Sequence, residues 1–166
     1  GVLHAEGQNR VAAIEAFAKA VELGNANSVD SLAELLRDDK KHEEAIRIWR
    51  AALAAYPAHE DRLRWWRGLS NSLRAMASWS EALVATKVAV KEFPYDAQLH
   101  VERGYAIYYG SNDPASAVSQ FKRASKLDEN MATAYAAMGE ISVAEANYSS
   151  AINYFSLAIE RDSSNR

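Results

Sequence analysis

The chain has no cysteine, three prolines and seven glycines in 166 residues. Without cysteine there is neither a disulfide nor a thiolate-held metal. So little proline and glycine suits a helical chain. No apolar run approaches the roughly 18 residues that cross a bilayer, and the start lacks the pattern of a secretory leader. The sequence is therefore expected to contain no transmembrane or signal segment. Motifs of catalysis are also missing: there is no GxSxG, GxGxxG, phosphate loop or HExxH. The four histidines, His4, His42, His59 and His100, include no pair three or four residues apart, so no helix carries a metal pair. Without a nucleophile–base or metal constellation, an enzyme is the least favoured class, and no cofactor is expected. What remains is 49% apolar and 25% charged with a formal charge of −3, a composition that suits a folded domain.

Alanine is what recurs. Pairs seven residues apart stand at Ala13 and Ala20, Ala45 and Ala52, Ala82 and Ala89, Ala117 and Ala124, and Ala151 and Ala158. Their first members are spaced by 32, 37, 35 and 34 residues. Each is followed by a branched apolar residue: Ile14, Ile46, Leu83, Val118 and Ile152. Four pairs enclose a large ring, namely Phe17, Trp49, Phe121 and Phe155, and the other encloses Thr86. Residues seven apart lie two turns apart on one helix stripe, so small, large, small along it describes a helix that docks closely on a neighbour. The fullest copy adds a preceding helix with Tyr135, Met138 and Gly139 on one face, where glycine admits a second backbone. Five aligned copies make an internal repeat.

The pattern resembles the tetratricopeptide repeat (TPR), about 34 residues carrying an aromatic, Leu-Gly, an aromatic, then Ala, Phe, Ala and Pro. Pro57 and Pro94 stand where that signature ends. The resemblance implies an all-α fold, a right-handed superhelix (α-solenoid) of helix-turn-helix repeats. Residues 1–25 are expected to be a partial repeat with only its second helix, in which Val2 to Gln8 is short and a helix spans 9–23. Repeats follow at 26–62, 63–96, 97–131 and 132–166. Asp113 followed by Pro114 marks a helix start, with Asp capping free amides and Pro fitting the first turn. Ile152, Phe155 and Ile159 in the last helix are expected to lie open, because nothing in the sequence follows to cover them.

The resemblance also implies a concave groove lined by the first helix of each repeat. Carried over by register, the first repeat offers Asn27, Asp30, Glu34, Arg37 and Asp38, and the second Arg64, Arg67, Asn71 and Arg74. The third offers Gln98, Val101, Tyr105, Tyr108 and Tyr109, and the fourth Thr133, Ala136, Glu140 and Val143. Tyr109 is assigned instead to core packing. Arginine forks grip carboxylates in pairs, and tyrosine gives apolar area with a polar tip. Such a wall suits a protein or peptide ligand carrying acidic groups. The bland alternative is a solvated face on which Arg64, Arg67 and Arg74 balance Asp30, Glu34 and Asp38. The two-carboxylate clamp of chaperone-binding repeats is incomplete: Arg67 and Asn71 match it, whereas Glu102, Thr133 and Ala137 do not. His100 is expected to pack, and His42 and His59 to be solvated.

The expected function is thus a non-catalytic protein-interaction scaffold. The rivals are self-association as a homo-oligomer through uncapped ends, and a helical repeat that binds RNA. A net charge of −3 argues against nucleic acid.

Overall fold

The computed structural model describes residues 2–163, with side chains from 9 to 162. All regular structure among them is helical: α1 (Val2–Glu22), α2 (Ser28–Asp38), α3 (His42–Ala55), α4 (Arg62–Ala75), α5 (Trp79–Glu92), α6 (Ala97–Ser111), α7 (Pro114–Leu127), α8 (Ala132–Ala144) and α9 (Tyr148–Ser163). The helices form two compact units, one ending at Ala77 and one starting at Ser78. The division falls in the turn between α4 and α5, inside the span 63–96.

One element differs from expectation. The first helix does not begin near residue 9 but runs unbroken from Val2. Gly7 weakens a helix by only about 1 kcal/mol, and no proline stops it.

Four turns share one backbone device. Lys40, Ala77, Asn112 and Ala146 take φ of 61°, 53°, 51° and 56°, the left-handed region. They follow α2, α4, α6 and α8, once per hairpin. The reversal lets Lys41 N–H reach the Leu36 carbonyl and Asn147 N–H reach that of Ser142, both at 2.8 Å, which satisfies carbonyls at the helix end. No glycine marks these positions, and left-handed backbone costs other residues roughly 1–2 kcal/mol. Glycine would remove that cost, although a freer unfolded chain offsets part of the gain. Ala77→Gly and Ala146→Gly are accordingly expected to raise stability by about 0.5–1 kcal/mol each, read from urea midpoints.

In the first unit Trp49 of α3 is fully buried. Its Nε1–H donates to Asp30 Oδ1 at 3.4 Å. The ring lies on Gly68 of α4 so closely that a Cβ there would fall 2.3 Å from it. The residue that makes room is Gly68, which lies outside the small positions of the repeat pattern. Trp65 is also fully buried, and His59 stacks on it at 4.8 Å. His59 is thus a packed residue rather than a solvated one. His42, half-buried with its Nδ1 shielded from solvent, is likewise not freely solvated. Arg62 ties the end of α3 down by donating to the carbonyls of Leu53 at 2.7 Å and Tyr56 at 3.1 Å. Arg10 of α1 donates to the Leu35 carbonyl and pairs with Asp39 at 3.2 Å, a cation at the C-terminal end of α2 where the helix dipole favours it.

In the second unit the repeat residues do what their spacing predicts. Ala82, Ala89, Ala117, Ala124 and Ala151 are buried. Phe121 is fully buried against Gly104, where a Cβ would fall 2.6 Å from the ring. Phe155 lies against Gly139 in the same way. It is half-buried inside its hairpin rather than open to solvent. Asp113 Oδ1 accepts from Ser116 N–H at 3.0 Å, and Pro114 opens α7 as the sequence requires. Hydrogen bonds from Ser116 hold the Asp113 carboxyl below its usual range. His100 is packed, with Nε2 3.0 Å from the Pro94 carbonyl and Nδ1 2.8 Å from Gln120 Oε1.

Where the repeat has Thr86 instead of a ring, the gap is filled from the next helix. Arg103, at a position that normally holds leucine, donates to the Leu83 carbonyl at 2.6 Å and to Thr86 Oγ1 at 3.4 Å. Its burial lowers the pKa of the guanidinium.

Candidate functional site

Each unit has a helix face rich in arginine or aromatic side chains. In the first unit it belongs to α4. Trp65, Trp66, Gly68, Leu69, Ser70, Ser72 and Leu73 turn inward. Arg64, Arg67, Asn71 and Arg74 occupy the other side, the first two exposed and the others half-buried. The stripe is not simply a row of solvated cations. Arg64 reaches Asp30 at 3.0 Å and Asp61 at 3.7 Å. Asp30, itself buried, thereby holds both Trp49 and Arg64. On α2, Arg37 forks onto Glu34, one arm at 3.1 Å, so these two satisfy each other first. Asp38 lies beside Arg37, and Asn27 is exposed.

In the second unit the open face is aromatic. Tyr109 of α6 is 51% exposed, and its ring stacks on Trp79 of α5 with centroids 4.7 Å apart and planes 23° apart. Tyr108 meets Tyr109 edge-on at 4.9 Å, and Tyr105 lies parallel to it at 6.4 Å. Tyr105 and Tyr108 are half-buried. Tyr105 rests edge-on against Phe121 at 5.2 Å, so it belongs half to the core. Gly110 lies close under Leu83 and Trp79, which lets the rings sit near the α6 backbone.

Two placements correct the sequence reading. Val101 is not on the wall: it is 1% exposed and sits in the core with Phe121 and with Ala134, Ala137 and Met138 of α8. The α8 helix covers the side of α6 that the register would leave open. Tyr109 goes the other way, from expected core to surface, because Trp79 supports it from α5 without enclosing it. Neither Trp79 nor the stacking was visible as a site in the sequence; an aromatic opening a second helix near a Tyr-Tyr pair closing the next first helix is the signal that points to it. Of the residues that depart from the carboxylate clamp, Glu102 is buried and accepts from Gln98 Nε2 at 2.8 Å, Ala137 is buried, and only Thr133 is exposed. In the fourth repeat Glu140 and Val143 are exposed and Ala136 half-buried.

Among the described residues no three His, Cys, Asp or Glu side chains gather as metal ligands. None of the described helices is long and apolar enough to cross a membrane.

Helix hairpins that repeat every 34 residues or so, without strands among the described residues, define an all-α helical-repeat protein. Residues 132–165 match the family model of the tetratricopeptide repeat. Solved structures agree over nearly the whole length. MamA from Desulfovibrio magneticus RS-1 is 15% identical, with a TM-score of 0.71, over 93% of this chain and 96% of its own. YrrB, described as a TPR protein with an unusual peptide-binding site, is 20% identical with a TM-score of 0.71, over 96% and 81%. A thermophilic TPR protein in Thermus thermophilus is 21% identical with a TM-score of 0.71, over 96% and 86%. No curated protein sequence matches the chain. The chain accordingly has the all-α fold of the TPR solenoids, and its last hairpin matches the tetratricopeptide-repeat model.

Proposed function

We propose that this protein is a non-catalytic scaffold that holds a peptide or protein segment on its open helix faces. The observation that carries the reading is the Trp79–Tyr109 stack with Tyr105 and Tyr108 beside it. Rings stacked between two packed helices lose little entropy on binding and offer apolar area with hydroxyl tips, the chemistry of protein-binding hot spots. The arginine face of α4 suits acidic groups on a partner. A peptide-binding site in YrrB, which shares the fold, is consistent with this class of ligand.

The test is capture from source-cell lysate by wild type and by Arg67→Glu/Tyr109→Ala, with mass spectrometry of what is retained. Tyr109 serves better than Tyr105, whose ring supports Phe121. A protein held by wild type, lost by the folded variant and insensitive to nuclease supports the scaffold. Equal capture by both rejects these faces, and loss on nuclease treatment favours the RNA-binding rival.

One observation favours a second reading, self-association through α9. Ile152 and Ile159 are 66% and 71% exposed on a face that also carries the exposed Tyr148. Under that reading the sedimentation mass rises with concentration, and Ile152→Glu/Ile159→Glu abolishes the rise without loss of helicity.

A further inference from the structure

We infer that the outer face of α7 is a separate docking surface for a short acidic peptide segment. A shallow, open depression of about 460 Å³ lies on this helix, lined by Ala115, Val118, Ser119, Lys122, Arg123 and Lys126. Those positions follow helical spacing on the side opposite the buried Ala117, Phe121 and Ala124. The face is graded. Its first two turns are small or apolar, and its last two carry three cations within five residues.

The cations stand out against the rest of the molecule. No acidic residue occurs between Pro114 and Leu127. Lys122, Arg123 and Lys126 are all exposed, and none has an ion-pair partner among the described residues. Arg10, Arg37, Lys41 and Arg64 each have a carboxylate within 4 Å, and the exposed Lys87 and Lys91 share their helix with Glu81 and Glu92. Three unpaired like charges on a helix repel one another across adjacent turns, a local cost that an acidic ligand removes.

Size and surroundings select the occupant. From position 115 to 126 the helix rises about 16 Å, the reach of roughly five extended residues. Asp113 stands before the helix, and Asp128 and Glu129 after it. The whole chain is net negative. A long polyanion such as nucleic acid or a charged lipid surface would extend past the three cations onto those carboxylates, within a Debye length of about 8 Å. A short segment with two or three carboxylates beside a small apolar residue fits charge to charge and leaves the flanking acids uncovered.

The experiment uses the whole chain with fluorescein-labelled hexaglutamate, measured by anisotropy in 50 mM salt. The comparison probes are hexalysine, a twelve-nucleotide oligothymidylate and phosphatidylserine vesicles. Wild type is expected to bind hexaglutamate, and Lys122→Gln/Arg123→Gln/Lys126→Gln to weaken that binding at least tenfold with unchanged thermal unfolding. Lys87→Gln/Lys91→Gln, which removes two exposed cations of α5, is expected to leave it unchanged, which separates this surface from a response to net charge alone. Three results would overturn the inference: equal binding by the triple variant, an equal loss of binding in Lys87→Gln/Lys91→Gln, or binding to oligonucleotide or vesicles that exceeds binding to the acidic peptide.

Discussion

Trp49→Ala is expected to lower the unfolding free energy by about 3–5 kcal/mol, the cost of deleting a fully buried large ring. Three features place it at the upper end. The ring lies on Gly68, which has no side chain to move into the void. Its Nε1–H donates to Asp30, a buried carboxylate that would lose one of its two partners. Ala45 and Ala52, about one turn to either side of it on the same stripe of α3, are too small to fill the space. In a repeat protein stability is nearly a sum of local terms, so the loss should also be local. Native-state hydrogen exchange should show faster exchange through α2, α3 and α4, with amides of α7 to α9 little affected. A loss of less than about 1 kcal/mol would mean that the ring is not a structural anchor.

Phe121→Ala should cost the second unit a similar amount, about 3–5 kcal/mol. Phe155 occupies the equivalent position in the next repeat but is only half-buried, so Phe155→Ala should cost clearly less. The Gly104 contact gives a sharper test. Gly104→Ala alone puts a methyl into the Phe121 ring and should cost about 1–3 kcal/mol. Combined with Phe121→Leu, which vacates that space, its cost should shrink, because residues in direct contact are not additive. A urea-melt double-mutant cycle measures the coupling; strict additivity would contradict the packing described for this pair.

The fold was legible because alanine pairs reveal themselves by number: each must be small so that two helices can touch, and the spacing of 34 or so residues repeats too often for chance. The left-handed turn residues inside the hairpins were not legible, because they are Lys40, Ala77, Asn112 and Ala146, whereas the glycine that normally announces the conformation stands after α1, as Gly24. Here the backbone bonds of the adjoining helices impose the conformation. The face residues were legible only in part. Arg64, Arg67, Asn71 and Arg74 share one side of α4 because helical period alone decides that. Val101 and Tyr109 exchanged their expected roles because burial depends on which helix lies across them, and a single helix does not specify its neighbours. Gly68 was overlooked for the same reason: the glycine that matters is set by where a two-ring tryptophan points, not by its place in the pattern.

The Thr86–Arg103 contact has a consequence for how such a chain is cut and rejoined. Thr86 belongs to the second helix of one repeat, and Arg103 to the first helix of the next. Exchange of either repeat for a consensus copy would set a ring against the guanidinium, or leave the cavity at Thr86 with nothing to enter it. The inheritable module at this place is therefore not the repeat but the pair α5 and α6, the closing helix of one hairpin with the opening helix of its successor. Recombination that respects that frame keeps the pair matched; recombination at repeat boundaries separates it.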